Sequence, residues 1–251
     1  MQVGLIGAGN MARALARGWG DPVLCSDSGS GRAQQLAQEL GGEALPNLGV
    51  AQRSDLVILC HKPYQLDAVA AEIAHEAKAV VSPLAGVPVD ALQKAYPGVP
   101  VIRVMPNTPV EVRRGVTCYC AGPSVEPDLV QQVVALFERV GMVVAVAEEL
   151  LDPLTALSGN GPAYDALLVE AQADAAVRYG APPALALQLA TETLAGTAAL
   201  LAKRQYEPQV VRREVTSPGG ATARGLAALE RAGVRAAFHD AMDAVLGRAR
   251  R

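Results

Sequence analysis

The first residues with chemical potential form the glycine-rich segment GAGNMA at residues 7–12. It directly follows the apolar run 3–6 and directly precedes a helical pattern, which is the strand–turn–helix context of a dinucleotide-binding turn. In such a turn Gly7 permits the tight bend, and Gly9 has no Cβ to hold a pyrophosphate away from the backbone. Small Ala12 allows close packing of helix on strand. The segment predicts binding of NADH or NADPH. The residues of this turn that are predicted to contact the cofactor are Gly7, Gly9, Asn10, Met11 and Ala12.

An acidic residue follows the second apolar run, as the same fingerprint requires. Asp27 stands eighteen residues after Gly9, where a carboxylate accepts hydrogen bonds from the adenosine ribose and repels a 2′-phosphate. Ser28, Ser30 and Arg32 follow at once. Two hydroxyls and a guanidinium can hold a 2′-phosphate instead if the carboxylate turns aside, although Arg32 also fits a solvated position in a first helical turn. The sequence leaves the choice between NADPH and NADH open.

Polar residues also stand just after two later apolar runs. Lys62 and Pro63 follow the run 56–60, and Asn107 follows the run 101–104. Ligands collect at the carboxyl ends of parallel strands in open α/β sheets. Asn107 fits either a hydrogen bond to the nicotinamide half of the cofactor or a helix N-cap. The further predicted cofactor contacts are His61, Lys62, Pro63, Ala85 and Asn107.

A second glycine-rich turn lies near the C-terminus. Residues 217–222 read SPGGAT and precede a helical pattern at residues 223–229. Free amides at the start of a helix bind anions, so this turn can hold a carboxylate. It equally fits an ordinary turn in which a Ser or Thr side chain caps the helix. The predicted substrate contacts are Ser217, Gly219, Gly220, Ala221 and Thr222.

The predicted cofactor contacts lie between predicted strands and helices, and residues 1–151 show an α/β pattern. Short β-branched runs alternate there with helical patterns, which predicts a parallel sheet with crossover helices. The predicted strands are 3–6, 23–25, 56–60, 79–82, 101–104, 116–120 and 143–146. The predicted helices are 11–19, 32–40, 66–77 and 127–140. Residues 1–151 are therefore predicted to form a doubly wound Rossmann domain that binds the cofactor.

The pattern changes from residue 152 onward. Strand-like runs disappear, and fifteen alanines occur between Asp152 and Arg204 among leucines at helical spacing. The segment 180–183, with one glycine and two prolines, divides this stretch into two long helices, and Pro208 ends the second. Helices this apolar leave more nonpolar face than a small domain covers, so part of it should meet another subunit. Residues 152–251 are predicted to form an all-α domain.

Composition excludes several classes of protein. The 22 basic and 25 acidic residues are scattered, which disfavours binding to nucleic acid or to an anionic membrane surface. No uninterrupted apolar run reaches the roughly eighteen residues that suggest a bilayer span, and no signal peptide is recognised, so we expect a cytoplasmic protein. Four cysteines lack metal-ligand spacing and are predicted to be buried thiols, with no metal bound: Cys25, Cys60, Cys118 and Cys120.

Four motifs together resemble the pyrroline-5-carboxylate reductase family. They are HKP at 61–63, RVMPNTP at 103–109, SGNGPAY at 158–164 and TSPGGATARGLAALE at 216–230. The likeness runs in order along almost the whole chain, and the SPGGAT block is its most specific part. One departure is visible, because Asn160 stands where the family usually has serine, which puts a local hydrogen bond in doubt.

The resemblance implies an activity and roles for individual residues. It implies hydride transfer from NAD(P)H to the C=N bond of 1-pyrroline-5-carboxylate, which gives L-proline in the last step of proline biosynthesis. It implies that Thr222 hydrogen-bonds the imine nitrogen, either relaying a proton or only orienting an imine that is already protonated. It also implies a homodimer through the helical domain, or a higher oligomer.

Two alternatives are considered, a related dehydrogenase and a protein of another class that has no activity. A β-hydroxyacid dehydrogenase shares the glycine turn and a helical second domain but uses a lysine on the first long interdomain helix, and no lysine lies between Asp152 and Ala202. A catalytically silent NAD(P)-binding regulatory or structural relative would be expected to have lost its second-domain loop, whereas SPGGAT is intact.

Overall fold

A computed structural model describes residues 1–247 of the chain. The chain divides into two compact units, Met1–Pro162 and Ala163–Arg251. This division lies eleven residues after the predicted boundary at residue 151, because the helix Glu148–Ser158 packs with the first unit. The domain boundary between residues 151 and 152 stays a prediction.

An eight-stranded sheet forms the centre of the first unit. Its strands are β1 Val3–Ile6, β2 Leu24–Ser26, β3 Glu43–Ala44, β4 Leu56–Leu59, β5 Val80–Ser82, β6 Val101–Pro106, β7 Gly115–Ala121 and β8 Gly141–Ala145. Their order across the sheet is β3-β2-β1-β4-β5-β6-β7-β8. Each of the seven predicted strands is present, with bounds shifted by up to two residues, and the two-residue β3 was not predicted. The order places β1 and β4 side by side, so their carboxyl ends meet at one edge.

All neighbouring strands pair in parallel except β6 and β7, which are antiparallel. The predicted parallel sheet therefore contains one antiparallel pair, which the sequence analysis did not predict. Residues 107–114 connect the two strands and contain only the short 3-10 helix Thr108–Val112. A crossover between parallel strands needs a dozen or more residues, so this connection can only reverse the chain.

Helices cover both faces of the sheet. They are α1 Asn10–Trp19, α2 Arg32–Leu40, α3 Asn47–Arg53, α4 Leu66–Ile73, α5 Val89–Ala95, α6 Pro127–Glu138 and α7 Glu148–Ser158, with a 3-10 helix at Pro63–Gln65. Alternate strand residues point to opposite faces, so Leu5 packs with α1, α2 and α6 whereas Ile6 packs with α3, α4 and α5. The first unit is therefore doubly wound, as predicted.

The second unit is all-helical. Its helices are α8 Gly161–Val177, α9 Pro183–Lys203, α10 Pro208–Glu214, α11 Ala221–Arg231 and α12 Val234–Leu246, of which α8 begins two residues before the unit does. Residues 178–182 separate the two long helices, as predicted. Pro208 does not end α9, which stops at Lys203; it starts α10, at a position where its missing N–H costs no hydrogen bond.

Helix α9 is unusually apolar and exposed. The helix is 21 residues long and contains an 18-residue stretch with a mean hydropathy of 1.3, so by length and composition alone it could cross a membrane, which the sequence analysis did not predict. One such helix is weak evidence for a membrane span, and Glu192 lies at its middle. Several leucines of α9 are exposed, including Leu185, Leu187 and Leu189.

Candidate functional site

A cavity of about 520 Å³ opens at the carboxyl ends of β1, β2 and β4. Its lining contains most of the predicted cofactor contacts: Gly7, Gly9, Asn10, Met11, Asp27, Ser28, Ser30, Arg32, His61, Lys62, Pro63 and Ala85. Two predicted contacts, Ala12 and Asn107, do not line it. Residues that are up to seventy-eight positions apart in sequence therefore surround one space large enough for part of a dinucleotide.

The glycine turn shapes the floor of this cavity. Gly7 has a φ of +101°, and a Cβ there would lie 2.7 Å from the carbonyl carbon of Cys60, so only glycine fits. Gly9 is the N-cap of α1, and the nearest protein atom to a Cβ at Gly9 would be 3.9 Å away. The protein itself thus leaves the space at Gly9 open. That space faces the first-turn amides of α1, where a pyrophosphate is stabilised.

Ala12 acts through packing. It is fully buried on the face of α1 that packs against the sheet, among the residues of the larger hydrophobic core cluster. A small side chain at this position keeps α1 close to β1 and thus keeps the amides of the first turn at the cavity.

The carboxylate of Asp27 is turned onto its own loop. One oxygen accepts from the Gly29 amide at 2.9 Å. The other accepts from the Ser30 hydroxyl at 2.8 Å and from the amides of Arg32 and Ala33 at 2.7 and 3.1 Å. Burial is the largest single influence and raises the pKa of Asp27, but the four hydrogen bonds together outweigh it and lower the pKa to about 2. Asp27 therefore caps α2, which is the turned-aside orientation that the sequence left open.

Three polar residues next to Asp27 face the solvent side of the cavity. Ser28, Ser30 and Arg32 are exposed and line it, and Arg32 is the first residue of α2. The Ser30 hydroxyl donates its proton to Asp27, which leaves its oxygen free to accept only. Ser28 and Arg32 are thus the donors in this loop that remain available to an anionic group.

His61 lies at the opposite wall of the cavity, beyond β4. Its Nδ1 is 2.9 Å from the carbonyl oxygen of Lys62, an arrangement in which Nδ1 carries the proton and donates. Burial lowers the pKa of His61, which favours the neutral form of the ring. Its Nε2 is enclosed and has no partner among residues 1–247. Lys62 is exposed, and its amide donates to Gln65 Oε1 at 3.0 Å, which starts the 3-10 helix at Pro63.

The predicted substrate turn precedes α11 in the second unit. Gly219 has a φ of +67°, Gly220 is the N-cap of α11, and Thr222 lies in its first turn. Of the predicted substrate contacts, Gly220 does not have a free amide, because it donates to the Ser217 carbonyl at 3.0 Å. Within the described residues the amides of Gly219 and Ala221 have no acceptor, and the side chains of this turn are exposed.

Sequence reasoning missed the positive charge beside this turn. Arg224 Nη1 donates to the Gly219 carbonyl at 2.8 Å, so a guanidinium lies next to the free amides. Its place in the motif TSPGGATARG was the only signal available. The turn therefore combines amides, a hydroxyl and a cation, which is a set of groups suited to a carboxylate.

Comparisons with known proteins match both the region of the cofactor cavity and the region of the substrate turn. Residues 148–251 match the family described as pyrroline-5-carboxylate reductase dimerisation, and residues 2–86 match the family described as NADP oxidoreductase, coenzyme F420-dependent. A pyrroline-5-carboxylate reductase of Synechocystis sp. is 40% identical over 99% of this chain and 97% of its own length. The chain belongs to the pyrroline-5-carboxylate reductase family. The resemblance seen in the four motifs is thereby confirmed.

Solved structures of the family share the fold over the whole chain. The 1-pyrroline-5-carboxylate reductase of Streptococcus pyogenes has a TM-score of 0.90 at 30% identity and covers 99% of this chain and 97% of its own. The Plasmodium falciparum pyrroline carboxylate reductase, whose structure has NADP bound, has a TM-score of 0.88 at 26% identity and covers 98% of this chain and 95% of its own. This full-length likeness favours the family over the β-hydroxyacid dehydrogenase alternative.

Asn160, the departure from the family's usual serine, closes the end of α7. Its Nδ2 is 3.5 Å from the Ala156 carbonyl, and its amide nitrogen is 3.3 Å from the Thr155 carbonyl. A serine hydroxyl in the same turn can satisfy a helix carbonyl in a similar way, as Ser158 Oγ does for Leu154 at 2.8 Å. The Asn160 side chain therefore lies within reach of a carbonyl of α7, as a serine hydroxyl in this turn would.

Both polar atoms of the Asn107 side chain make hydrogen bonds within the first unit. Its Nδ2 donates to the Ser158 carbonyl at 3.0 Å, and its Oδ1 accepts from the Val116 amide at 2.8 Å. It precedes the 3-10 helix Thr108–Val112, but its side chain makes no capping hydrogen bond. Asn107 is thus bonded to α7 and β7 and, unlike most of the predicted cofactor contacts, does not line the cavity.

Several residues of the cavity had no recognisable signal in the sequence. Asn47, the first residue of α3, lines the cavity while its Oδ1 accepts from Ser26 at 2.7 Å and its Nδ2 donates to Glu72 at 2.7 Å. The other unpredicted lining residues are Ile6, Ala8, Leu59, Cys60, Gln65, Val69, Pro83 and Leu84. Most of them are apolar wall residues, and periodicity does not distinguish a wall residue from a core residue.

The cysteines are free thiols. Cys25 and Cys118 are buried as predicted, whereas Cys60 and Cys120 are only partly buried. Cys118 and Cys120 both lie on β7 and contribute to one small apolar cluster with Met105 and Leu151. Within residues 1–247 no group of three His, Cys, Asp or Glu side chains has the arrangement of a metal site.

Proposed function

We propose that this chain reduces the C=N bond of 1-pyrroline-5-carboxylate with NAD(P)H and releases L-proline. The observation that carries the proposal is that the full-length similarity to pyrroline-5-carboxylate reductases includes both the dinucleotide-type cavity and the anion-binding turn. The reaction is the last step of proline biosynthesis, and it makes the protein an oxidoreductase that acts on a carbon–nitrogen bond.

The cavity residues fit a nicotinamide dinucleotide. The open space at Gly9 and the first-turn amides of α1 suit the pyrophosphate, and the loop 28–32 suits the adenosine end. His61, Lys62 and Pro63 lie at the wall beyond β4, where the nicotinamide half would be held. When bound, the reduced cofactor supplies the hydride.

The turn before α11 fits the substrate. The amides of Gly219 and Ala221, with Arg224 beside them, hold the ring carboxylate at the positive end of a helix. The Thr222 hydroxyl positions the imine nitrogen by a hydrogen bond. Hydride adds to the imine carbon while the nitrogen gains a proton, so the C=N bond becomes C–N and the cofactor leaves oxidised.

The orientation of Asp27 supports preferential use of NADPH. Its carboxylate is engaged by four donors of its own loop, so it neither binds the ribose nor presents an open negative face to a 2′-phosphate. Ser28 and Arg32 remain to donate to that phosphate. The Plasmodium falciparum relative was solved with NADP bound, which is consistent with this preference.

Self-association through the second unit is the other part of the proposal. Among the described residues of its helices only Ala173, Ala186, Ala190 and Val211 are buried, while many large apolar side chains are exposed. The matched family model over residues 148–251 is described as a dimerisation region. We therefore propose a homodimer through the helical unit. A cytoplasmic location stays a prediction.

Oxidation of NADPH and NADH, followed by absorbance with chemically generated pyrroline-5-carboxylate, tests the function. We expect turnover with both cofactors and a higher kcat/KM with NADPH. Thr222→Ala should lower kcat/KM for the imine by about tenfold or more, since a hydrogen bond to a charged group contributes about 1.5–3 kcal/mol. Thr222→Ser, which keeps the hydroxyl, should retain most of the activity.

No turnover with either cofactor would favour the alternative of a catalytically silent relative. Full activity and an unchanged KM in Thr222→Ala would instead leave the reaction intact and remove the role given to this threonine.

A further inference from the structure

Helix α7 is held against β6 at both of its ends. Its residues Glu148 and Asp152 face Arg103 of β6, and its last residue, Ser158, faces Asn107, which directly follows β6. Four residues after Ser158 the first unit ends, and the chain continues into the second. The helix is therefore the last element that lies wholly within the first unit.

The N-terminal end of α7 is attached through a buried guanidinium. Arg103 is only 3% exposed, and its Nη1 and Nη2 reach Glu148 Oε1 at 3.2 Å and Asp152 Oδ1 at 2.8 Å. Its Nε is enclosed without a partner among residues 1–247. Since a buried charge without its counter-ions is strongly unfavourable, the two carboxylates of α7 are held to this position. Glu148 Oε1 also accepts from the Val89 amide at 2.7 Å, which adds α5 to the attachment.

The C-terminal end is attached through the Asn107 amide. Nδ2 donates to the Ser158 carbonyl, one of the last helical carbonyls that lack a partner within the helix, while Oδ1 is fixed by the Val116 amide of β7. Between the two ends, Leu151 is fully buried against Met105 and Cys118. The helix thus has a polar anchor at each end and an apolar contact between them.

The dimensions of strand and helix match. Arg103, Met105 and Asn107 alternate along an extended segment and lie on one face, and four residues of strand span about 13 Å. Along α7, the distance from the middle of the Glu148–Asp152 turn to Ser158 is eight residues, or about 12 Å. One side of β6 therefore provides contacts along nearly the whole helix.

We propose that Arg103 and Asn107 are positioning residues for the reduction: they fix α7, and through it the segment 158–162 by which the chain enters the second unit. The proposal rests on the proposed function, since it concerns the same hydride transfer. Neither residue lines the cofactor cavity, so neither is assigned a contact with the cofactor. Hydride transfer requires reacting atoms about 3–3.5 Å apart, and a displacement of about 1 Å can cost about a hundredfold in rate. Loosening the connecting segment should accordingly lower kcat without changing the cavity.

Two variants test the two anchors separately. Asn107→Asp keeps an acceptor for the Val116 amide and removes the donor to Ser158, and Arg103→Lys keeps the charge but lacks the fork that reaches two carboxylates. The control is Arg139→Lys, because Arg139 also pairs with a carboxylate in the first unit, and among residues 1–247 its hydrogen bonds go to Asp21 and Trp19 and not to α7. For each variant the Kd of NADPH is measured by fluorescence, kcat and KM by turnover, and amide hydrogen exchange over residues 148–162 by mass spectrometry.

We expect faster exchange over residues 148–162 in both anchor variants, a fall in kcat of about tenfold or more, and an NADPH Kd within twofold of the wild-type value. The control should match the wild type in all three. A loss of NADPH affinity equal to the loss of kcat would overturn the proposal and make Asn107 a cofactor ligand. Unchanged exchange, or unchanged kcat with faster exchange, would also overturn it. Because exchange and NADPH binding are measured without turnover, an inactive wild type would count against the proposed function alone.

Discussion

At the scale of single residues, the sequence could not decide whether Asp27 binds the ribose of the cofactor or stabilises its own loop. The fingerprint position predicts a ribose ligand, but the carboxylate instead holds the loop 28–31 and the first turn of α2. The hydroxyl of Ser30 and three backbone amides are all within reach because glycines at 29 and 31 adopt positive φ. Asp27 therefore affects stability directly and cofactor choice indirectly.

Replacement of Asp27 by alanine should lower the free energy of unfolding by about 1 kcal/mol, the usual effect of removing a helix-capping side chain. The pKa of Asp27 lies below its ordinary value of 3.8, at about 2, so its contribution is present above about pH 4 and is lost as the pH falls toward 2. Urea unfolding of both proteins at pH 7 and pH 3 should show a smaller difference at pH 3. An equal difference at both values would contradict this role.

Arg32 is the residue that should decide between the two cofactors. Arg32→Ala removes the guanidinium at the cavity and should lower kcat/KM for NADPH about tenfold or more, because a charged hydrogen bond to phosphate is lost, while NADH is little affected. Steady-state kinetics with both cofactors measure the ratio. Arg53→Ala, which removes an exposed pair with Glu43, is the control and should leave the ratio unchanged. Equal losses with NADPH and NADH would rule out a 2′-phosphate contact.

At the scale of elements, the contact of α1 with β1 controls the cavity. Ala12 is fully buried, and a larger side chain there would move the helix whose first-turn amides face the bound phosphates. Ala12→Leu should destabilise the protein by about 1–3 kcal/mol through overpacking and weaken NADPH binding. Thermal unfolding and fluorescence titration report the two effects. Ala71→Leu, on the exposed side of α4, should change neither, and a similar loss there would show that added volume alone is responsible.

Strands and helices with a clear pattern of apolar residues could be predicted from the sequence, whereas short or irregular ones could not. The run VGLI and the turn after it gave the first strand and the cofactor cavity, since apolar runs and glycine turns are local signals. The antiparallel β6–β7 pair depends on the length of a connection, and α3 and α5 have only seven residues each, about two turns, which is too short for a clear helical periodicity. Asn47 and the bonded Gly220 amide depend on contacts with neighbours, which no local pattern encodes.

At the scale of the whole molecule, the second unit exposes large apolar side chains, which supports the proposed self-association. Leu185, Leu187 and Leu189 of α9 are between 45% and 58% exposed, which a stable isolated helical unit would not leave in water. Multi-angle light scattering should therefore give twice the chain mass of 26.0 kDa, or a higher multiple. Leu189→Arg should shift the equilibrium toward monomer and reduce activity. Val112→Arg, on an exposed site of the first unit, should not, and an active monomer of the wild type would contradict the proposal.

The transfer of hydride to the imine carbon is the central claim, and isotope transfer tests it most directly. NADPH carrying deuterium at both C4 positions is incubated with the protein and pyrroline-5-carboxylate, and the product is analysed by mass spectrometry and NMR. The predicted result is L-proline with a single deuterium at Cδ, formed in equal amount to the NADPH oxidised. Failure to form proline, or proline without deuterium at Cδ, would contradict the assignment.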